Sequence, residues 1–223
     1  MAGVPPERTI RQLRFERPAG ATELVLVRHG ESAPADPASP FPLVQGRGDP
    51  ALAPEGHVQA EQLARRLEHW PIEAIYVTPL RRTAETAAPL ARRLGLIPVV
   101  DEDLIEVHMG EWEGGLYREK VTKRDPLALR VFAEGRFDVV PGAESNEAIL
   151  ARASAAVDRI ASAHPDAVVV VVTHVVVISN LLAAALGAPP FAFVTGDNTG
   201  ISRLVVAGSS WTARSYNDTG HLA

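Results

Sequence analysis

Leu24-Val25-Leu26-Val27-Arg28-His29-Gly30-Glu31 sets four apolar residues against an abrupt stop of arginine, histidine and glycine. An unbroken apolar run closed by a breaker reads as a strand buried on both faces, the kind found in parallel sheets. In open α/β sheets, ligands bind just past the carboxyl ends of such strands, and there Arg28 and His29 would stand. Taken alone, the same eight residues equally describe a loop arginine and a loop histidine with no task. A second stretch of the same form tips the balance: Val168-Val169-Val170-Val171-Val172 runs into Thr173-His174. Two histidines at the carboxyl ends of two buried parallel strands can lie side by side although about 145 positions separate them.

Working outward, strands are expected over about 23–27, 72–77, 97–100 and 168–172, with a closing hairpin of 201–206 and 211–216 across Gly208-Ser209-Ser210. Helices are expected between them. The first covers about 54–70, with Pro54 in its first turn and Val58, Leu63 and Leu67 near helical spacing. The second covers about 78–93, with Thr78 as its cap, Pro79 as its first residue and Gly95 as its stop. Others fall near 126–134, 145–163 and from His174 to about 186. Strands alternating with helices argue for an α/β fold, a three-layer α/β/α sandwich with a mostly parallel central sheet. No repeat, low-complexity tract or linker divides the chain. We expect an N-terminal extension over 1–20, then a single domain over 21–223 with an inserted helical segment at about 101–142. The span from Ser32 to Pro54 holds six prolines and no period. It reads as a long loop, placed to wall a pocket beside Arg28 and His29.

Composition narrows the function. The 223 residues are 46% hydrophobic and 22% charged, ordinary for a soluble globular protein. A net charge of −5 argues against a sequence-blind nucleic-acid partner but leaves small anions open, since a few arginines suffice for them. With no cysteine there is no disulfide, thiolate nucleophile or Cys metal site. The first residues lack a signal-peptide core, so the cytoplasm is the expected compartment. No charged residue lies between Asp166 and Asp197, a span long enough for a bilayer. Its His174, Ser179, Asn180, Gly187 and Pro189-Pro190 fit a buried strand and helix better, and no membrane partner is expected. Asn217-Asp218-Thr219 matches a glycosylation acceptor, which without a secretory signal is a coincidence.

Two further features carry chemistry. Arg81 and Arg82 fall in the first turn of a helix that follows a strand, where cations oppose the macrodipole unless an anion sits between them. An exposed arginine pair is the plain alternative, and the neighbouring Arg-His pocket favours a phosphate. Glu106 lies among apolar neighbours in Leu104-Ile105-Glu106-Val107, where desolvation would raise its pKa and suit it to acid catalysis.

These residues, in order, resemble the histidine phosphatase superfamily, also called phosphoglycerate mutase-like. The ordered set is Leu26 to Glu31; Gln45-Gly46, Asp49-Pro50-Ala51-Leu52 and Gly56; Thr78-Pro79-Leu80-Arg81-Arg82 with Thr86-Ala87; Leu104, Glu106, Gly110 and Glu113-Gly114; Pro141-Gly142-Ala143-Glu144-Ser145; and Val172-Thr173-His174. The resemblance covers about 24–222. It implies a metal-independent phosphatase acting on a small phosphorylated metabolite, with His29 as the nucleophile that becomes phosphohistidine. It also implies that Arg28, Arg82 and His174 surround the phosphoryl oxygens, and that Glu106 acts as acid and then base. No metal or cofactor is implied, and no clustered ligand spacing stands in the sequence. A cofactor-dependent phosphoglycerate mutase is the alternative, although the stretch between Glu106 and Pro141 is shorter than in such mutases. A non-catalytic phosphate-binding module is the further one. Two positions depart from the family pattern. Ala35 stands where many relatives carry a phosphate-holding asparagine. Val175 follows the second histidine where many carry glycine, and valine does not readily take φ > 0. Arg47 and His108 are candidates for substrate contact.

Overall fold

The computed structural model describes residues 12–223. Its elements, in chain order, are β1 (Thr22–Arg28), the two-residue strands β2 (Leu43–Val44) and β3 (Arg47–Gly48), α1 (Pro54–Leu67), β4 (Ile72–Val77), α2 (Arg81–Leu94), β5 (Val99–Val100), α3 (Leu116–Thr122), α4 (Pro126–Glu134), α5 (Asn146–Ala163), β6 (Val168–Thr173), α6 (Val175–Leu186), β7 (Ile201–Ala207) and β8 (Ser210–Asp218). Short 3-10 turns sit at Glu102–Leu104 and Gly110–Trp112.

One six-stranded sheet runs β5-β4-β6-β1-β7-β8. β5, β4, β6 and β1 are mutually parallel, and β7 joins β1 antiparallel. The valine run is fully buried because it sits between β4 and β1 with helices on both faces. Alternation along β1 feeds two cores. Leu24 and Leu26 pack with α4, α5 and α6, whereas Val25 and Val27 pack with α1 and α2. This is the expected α/β/α sandwich with a mostly parallel sheet.

Several details differ from the sequence reading. Thr78 does not cap α2: the N-cap is Leu80, with no side-chain bond, because the Thr78 hydroxyl is turned to His174 and Thr83. Val58 is exposed, and α1 buries Gly56, Ala60, Leu63, Ala64 and Leu67 instead. The long loop carries a small β2–β3 hairpin. α3 was not expected, since Gly114-Gly115 precedes it and its seven residues show no apolar period. Of the extension expected over 1–20, the first eleven residues lie outside the described part. Arg17 ties the rest to the turn before β6 through the Ala167 carbonyl at 2.7 Å.

Candidate active site

β1 and β6 pair in register, Arg28 opposite Thr173, and the His29 N–H donates to the Thr173 carbonyl at 3.0 Å. The residues after the two strands therefore emerge together. The His29 and His174 rings lie edge to face with centroids 5.2 Å apart. His29 Nδ1 is 2.7 Å from the Gly30 carbonyl, which fixes the proton on Nδ1 and leaves Nε2 unprotonated. Arg82 Nε donates toward that Nε2 at 3.2 Å. Burial, then Arg82 and Arg28, hold the His29 pKa well below the usual range, so the ring is neutral.

His174 is fully buried, and its Nε2 lies 3.1 Å from the Thr78 hydroxyl. Burial and the neighbouring Arg82 keep it neutral too, so its 3.9 Å approach to Glu106 is not an ion pair. Arg28 donates from Nη1 to the Gly196 carbonyl at 2.6 Å. Arg28 Nε and His174 Nδ1 are buried polar atoms without a partner among the described residues. An unmade bond of this kind costs about 1–3 kcal/mol, which a correctly placed acceptor would recover.

The arginine pair of α2 divides its labour. Arg81 turns outward to Glu85 at 3.1 Å, and its backbone N–H is held by Asp49 at 2.8 Å. Arg82 is buried and reaches inward, donating from Nη1 to the Gly48 carbonyl at 2.9 Å. The first turn of α2 holds no acidic residue of its own, and the Asp49 carboxylate caps it through the Arg81 N–H.

Glu106 follows the 3-10 turn, held near the sheet because Thr173 Oγ1 donates to the Leu104 carbonyl at 2.7 Å. Burial raises its pKa, although the Val107 N–H, Arg82 and Arg152 pull the other way. These five side chains converge: Arg28, His29, Arg82 and Glu106 line a cavity of about 320 Å³, and the buried His174 packs edge to face against His29. Such a set can neutralise an anion, offer one unprotonated ring nitrogen and supply one proton.

Arg47 lines this cavity, but its guanidinium is committed to the Glu106 carbonyl at 3.0 Å and to Glu144 at 3.5 Å. His108 is not among the lining residues; its Nδ1 accepts from the Gly110 N–H at 3.1 Å. Ala35 faces Gly115 rather than the cavity. Val175 opens α6 behind an extended His174 and takes no positive φ, so the backbone does not need a glycine there.

Three lining residues escaped the sequence reading. Arg118 donates to the Ser32 hydroxyl and the Ala33 carbonyl, each at 2.7 Å, and stacks 5.3 Å over the Phe41 ring. Tyr117 precedes it on α3, whose lack of period hid both. Asn198 donates to the His29 carbonyl at 2.9 Å. A signal for it exists in Gly196-Asp197-Asn198-Thr199-Gly200, a turn opening an antiparallel strand. β7 starts at Ile201 opposite Val27, so that turn lands on the carboxyl edge of the sheet. Among the described residues, no group of three or more His, Asp or Glu is placed to hold a metal ion. None of the helices there is long and apolar enough to cross a membrane.

Known proteins of this shape place the geometry in context. An Arabidopsis thaliana protein named phosphoglycerate mutase-like protein 4 is 34% identical over 205 residues, covering 90% of this chain and 86% of that one. An Arabidopsis thaliana metal-independent phosphoserine phosphatase is 30% identical, covering 91% and 84%. The solved structure of a mycobacterial glucosyl-3-phosphoglycerate phosphatase superposes with a TM-score of 0.72 at 29% identity, covering 89% of this chain and 100% of that one. Residues 24–219 match the histidine phosphatase superfamily (branch 1), and the chain belongs to that family.

Proposed function

We propose that the chain is a metal-independent phosphatase that hydrolyses a small phosphomonoester through a phosphohistidine on His29. The observation that carries this reading is the His29 ring itself. Its Nδ1 proton is locked on Gly30, and its unprotonated Nε2 accepts from Arg82 beside Arg28 and His174. In the first step Nε2 attacks phosphorus, the P–O ester bond breaks, and Glu106 delivers its proton to the departing oxygen. In the second step water attacks the phosphohistidine, Glu106 takes up the proton, and inorganic phosphate leaves with His29 restored. Arg28, Arg82 and His174 donate to the phosphoryl oxygens, the Arg28 Nε and His174 Nδ1 gaining the acceptors they lack within the protein.

The far wall bears on the leaving group. Phe41, Met109, Trp112, Tyr117 and Phe137 line it. Of its polar groups, Glu113 accepts from the Gly48 and Met109 N–H groups and Arg47 is held by Glu144, whereas the Tyr117 hydroxyl has no hydrogen bond among the described residues. The reading is of an alcohol with apolar or aromatic bulk.

The test is turnover of p-nitrophenyl phosphate, without added metal, by wild type and His29→Ala. Loss of about 10³-fold or more in the variant supports the nucleophile; equal rates overturn it. A kcat/KM for 2-phenylethyl phosphate no higher than for phosphoserine overturns the leaving-group reading. Conversion of 3- to 2-phosphoglycerate dependent on bisphosphoglycerate would establish a mutase instead.

A further inference from the structure

Arg152, on α5, lies outside the cavity, yet three of its guanidinium donors are used on the segment that carries Glu106 and the other two on Glu144. Nε and Nη2 grip Glu144 at 2.7 and 2.9 Å, Nη1 binds the carbonyls of Asp103 and Ile105 at 2.7 and 2.5 Å, and Nη2 also reaches the Glu106 carbonyl at 3.3 Å. Glu144 in turn accepts from the His108 N–H at 3.2 Å, and the Glu144 N–H donates to the His108 carbonyl at 2.8 Å. Arg47 adds a second donor to the Glu106 carbonyl at 3.0 Å. Both members of the Arg152–Glu144 pair are largely buried, at 15% and 14% exposure. Main-chain carbonyls are ordinarily satisfied by secondary structure, but residues 105–109 are irregular coil. One planar fork replaces a ladder there, and only arginine supplies five donors in that geometry.

We infer that the Arg152–Glu144 pair is a positioning device that fixes the Glu106 carboxyl against the leaving-group oxygen. It rests on the reading of Glu106 as the acid. Neither residue touches the reacting atoms; they set where the acid stands, and misplacement of about 1 Å costs on the order of 10²-fold in rate. Hydrolysis of the phosphohistidine, where Glu106 takes up a proton, is common to every ester, so the acid role is isolated in kcat/KM, which ends at release of the alcohol. A leaving group that needs no proton tolerates a displaced acid, whereas a poor one does not.

The experiment compares kcat and KM on 2-phenylethyl phosphate and on p-nitrophenyl phosphate for wild type, Arg152→Lys, Glu106→Gln and the double variant, with thermal unfolding as the check on folding. Arg152→Lys is expected to lose about 100-fold in kcat/KM on the alkyl ester and only about threefold on the nitrophenyl ester. Placed on Glu106→Gln it should add less than about twofold on the alkyl ester, because the acid it positions is already gone. Equal losses on the two esters, or an undiminished loss in the Glu106→Gln background, overturn the inference. Should Arg152→Lys not fold, Glu144→Gln, which keeps side-chain volume and one acceptor oxygen, carries the same comparison. A Glu106→Gln enzyme that does not discriminate between the esters overturns the acid assignment. An inactive wild type overturns the phosphatase reading, and the inference with it.

Discussion

Burial acts on His29 and Glu106 in opposite directions, and the site depends on the difference. Desolvation disfavours whichever form is charged, so it pulls the imidazole pKa well below its usual value and pushes the carboxyl above its own. Arg82 and Arg28 reinforce the first effect and oppose the second. The sign of the pH profile follows. On the proposed mechanism His29 attacks unprotonated, so the acid limb of kcat/KM lies below the ordinary histidine value of about 6.5. On the same mechanism Glu106 is protonated when it aids a poor leaving group, so kcat/KM on an alkyl phosphate falls as pH rises through its raised pKa, above about 4.5. On p-nitrophenyl phosphate that basic limb should vanish, since no proton is needed. Two coincident basic limbs in kcat/KM would contradict the assignment.

At the scale of elements, the Arg28-His29-Gly30 turn is set by how closely α1 approaches it. A Cβ on Gly56 would drive into the Glu31 carbonyl, and one on Gly30 would stand 2.8 Å from the Gly56 carbonyl. The Gly30 N–H is held by Thr86 Oγ1 at 2.9 Å, so α2 clamps the same turn from its other side. Gly56→Ala should therefore cost about 1–3 kcal/mol in urea unfolding and reduce activity with it, because relief moves either the helix or His29. Full activity at unchanged stability would show that the contact has slack. The elements themselves were largely legible. Long valine and leucine runs, Pro54, Gly95 and the Gly208 turn mark boundaries by covalent geometry alone. What stayed hidden depends on partners distant in sequence. Thr78 looks like a cap because its local pattern is that of a cap, but its hydroxyl is taken by His174, 96 residues away. Arg152 reads as one more polar position on a helix, and only the fold brings the carbonyls of residues 103–106 to it. α3, with Tyr117 and Arg118, has no apolar period because it buries no residue fully.

The whole molecule gathers positive charge where its two cores meet at the carboxyl edge of the sheet. Arg82 is buried there, Arg28 is half-buried, and Arg118 stands beside Arg28. Burial depresses all three guanidinium pKa values, and Arg28 lowers that of Arg118 further, a sign that these cations meet at the expense of stability. The chain as a whole carries −5, so this is a local concentration and not a general field. A dianion bound among them relieves repulsion that the unfolded chain does not feel, so it binds the folded state selectively. Inorganic phosphate at 100 times its dissociation constant should then stabilise the fold by about 2.7 kcal/mol. For a chain of this length that raises Tm by roughly 5–10 °C. Arg82→Met, which keeps the buried stem and removes the charge, should abolish most of the shift while unfolding no earlier than wild type in phosphate-free buffer. The measurement is a phosphate titration followed by thermal unfolding at constant ionic strength, with chloride in place of phosphate as the reference. A shift that chloride reproduces, or one that survives Arg82→Met, would place the anion elsewhere on the surface and remove the electrostatic basis for reading this edge as a phosphate site.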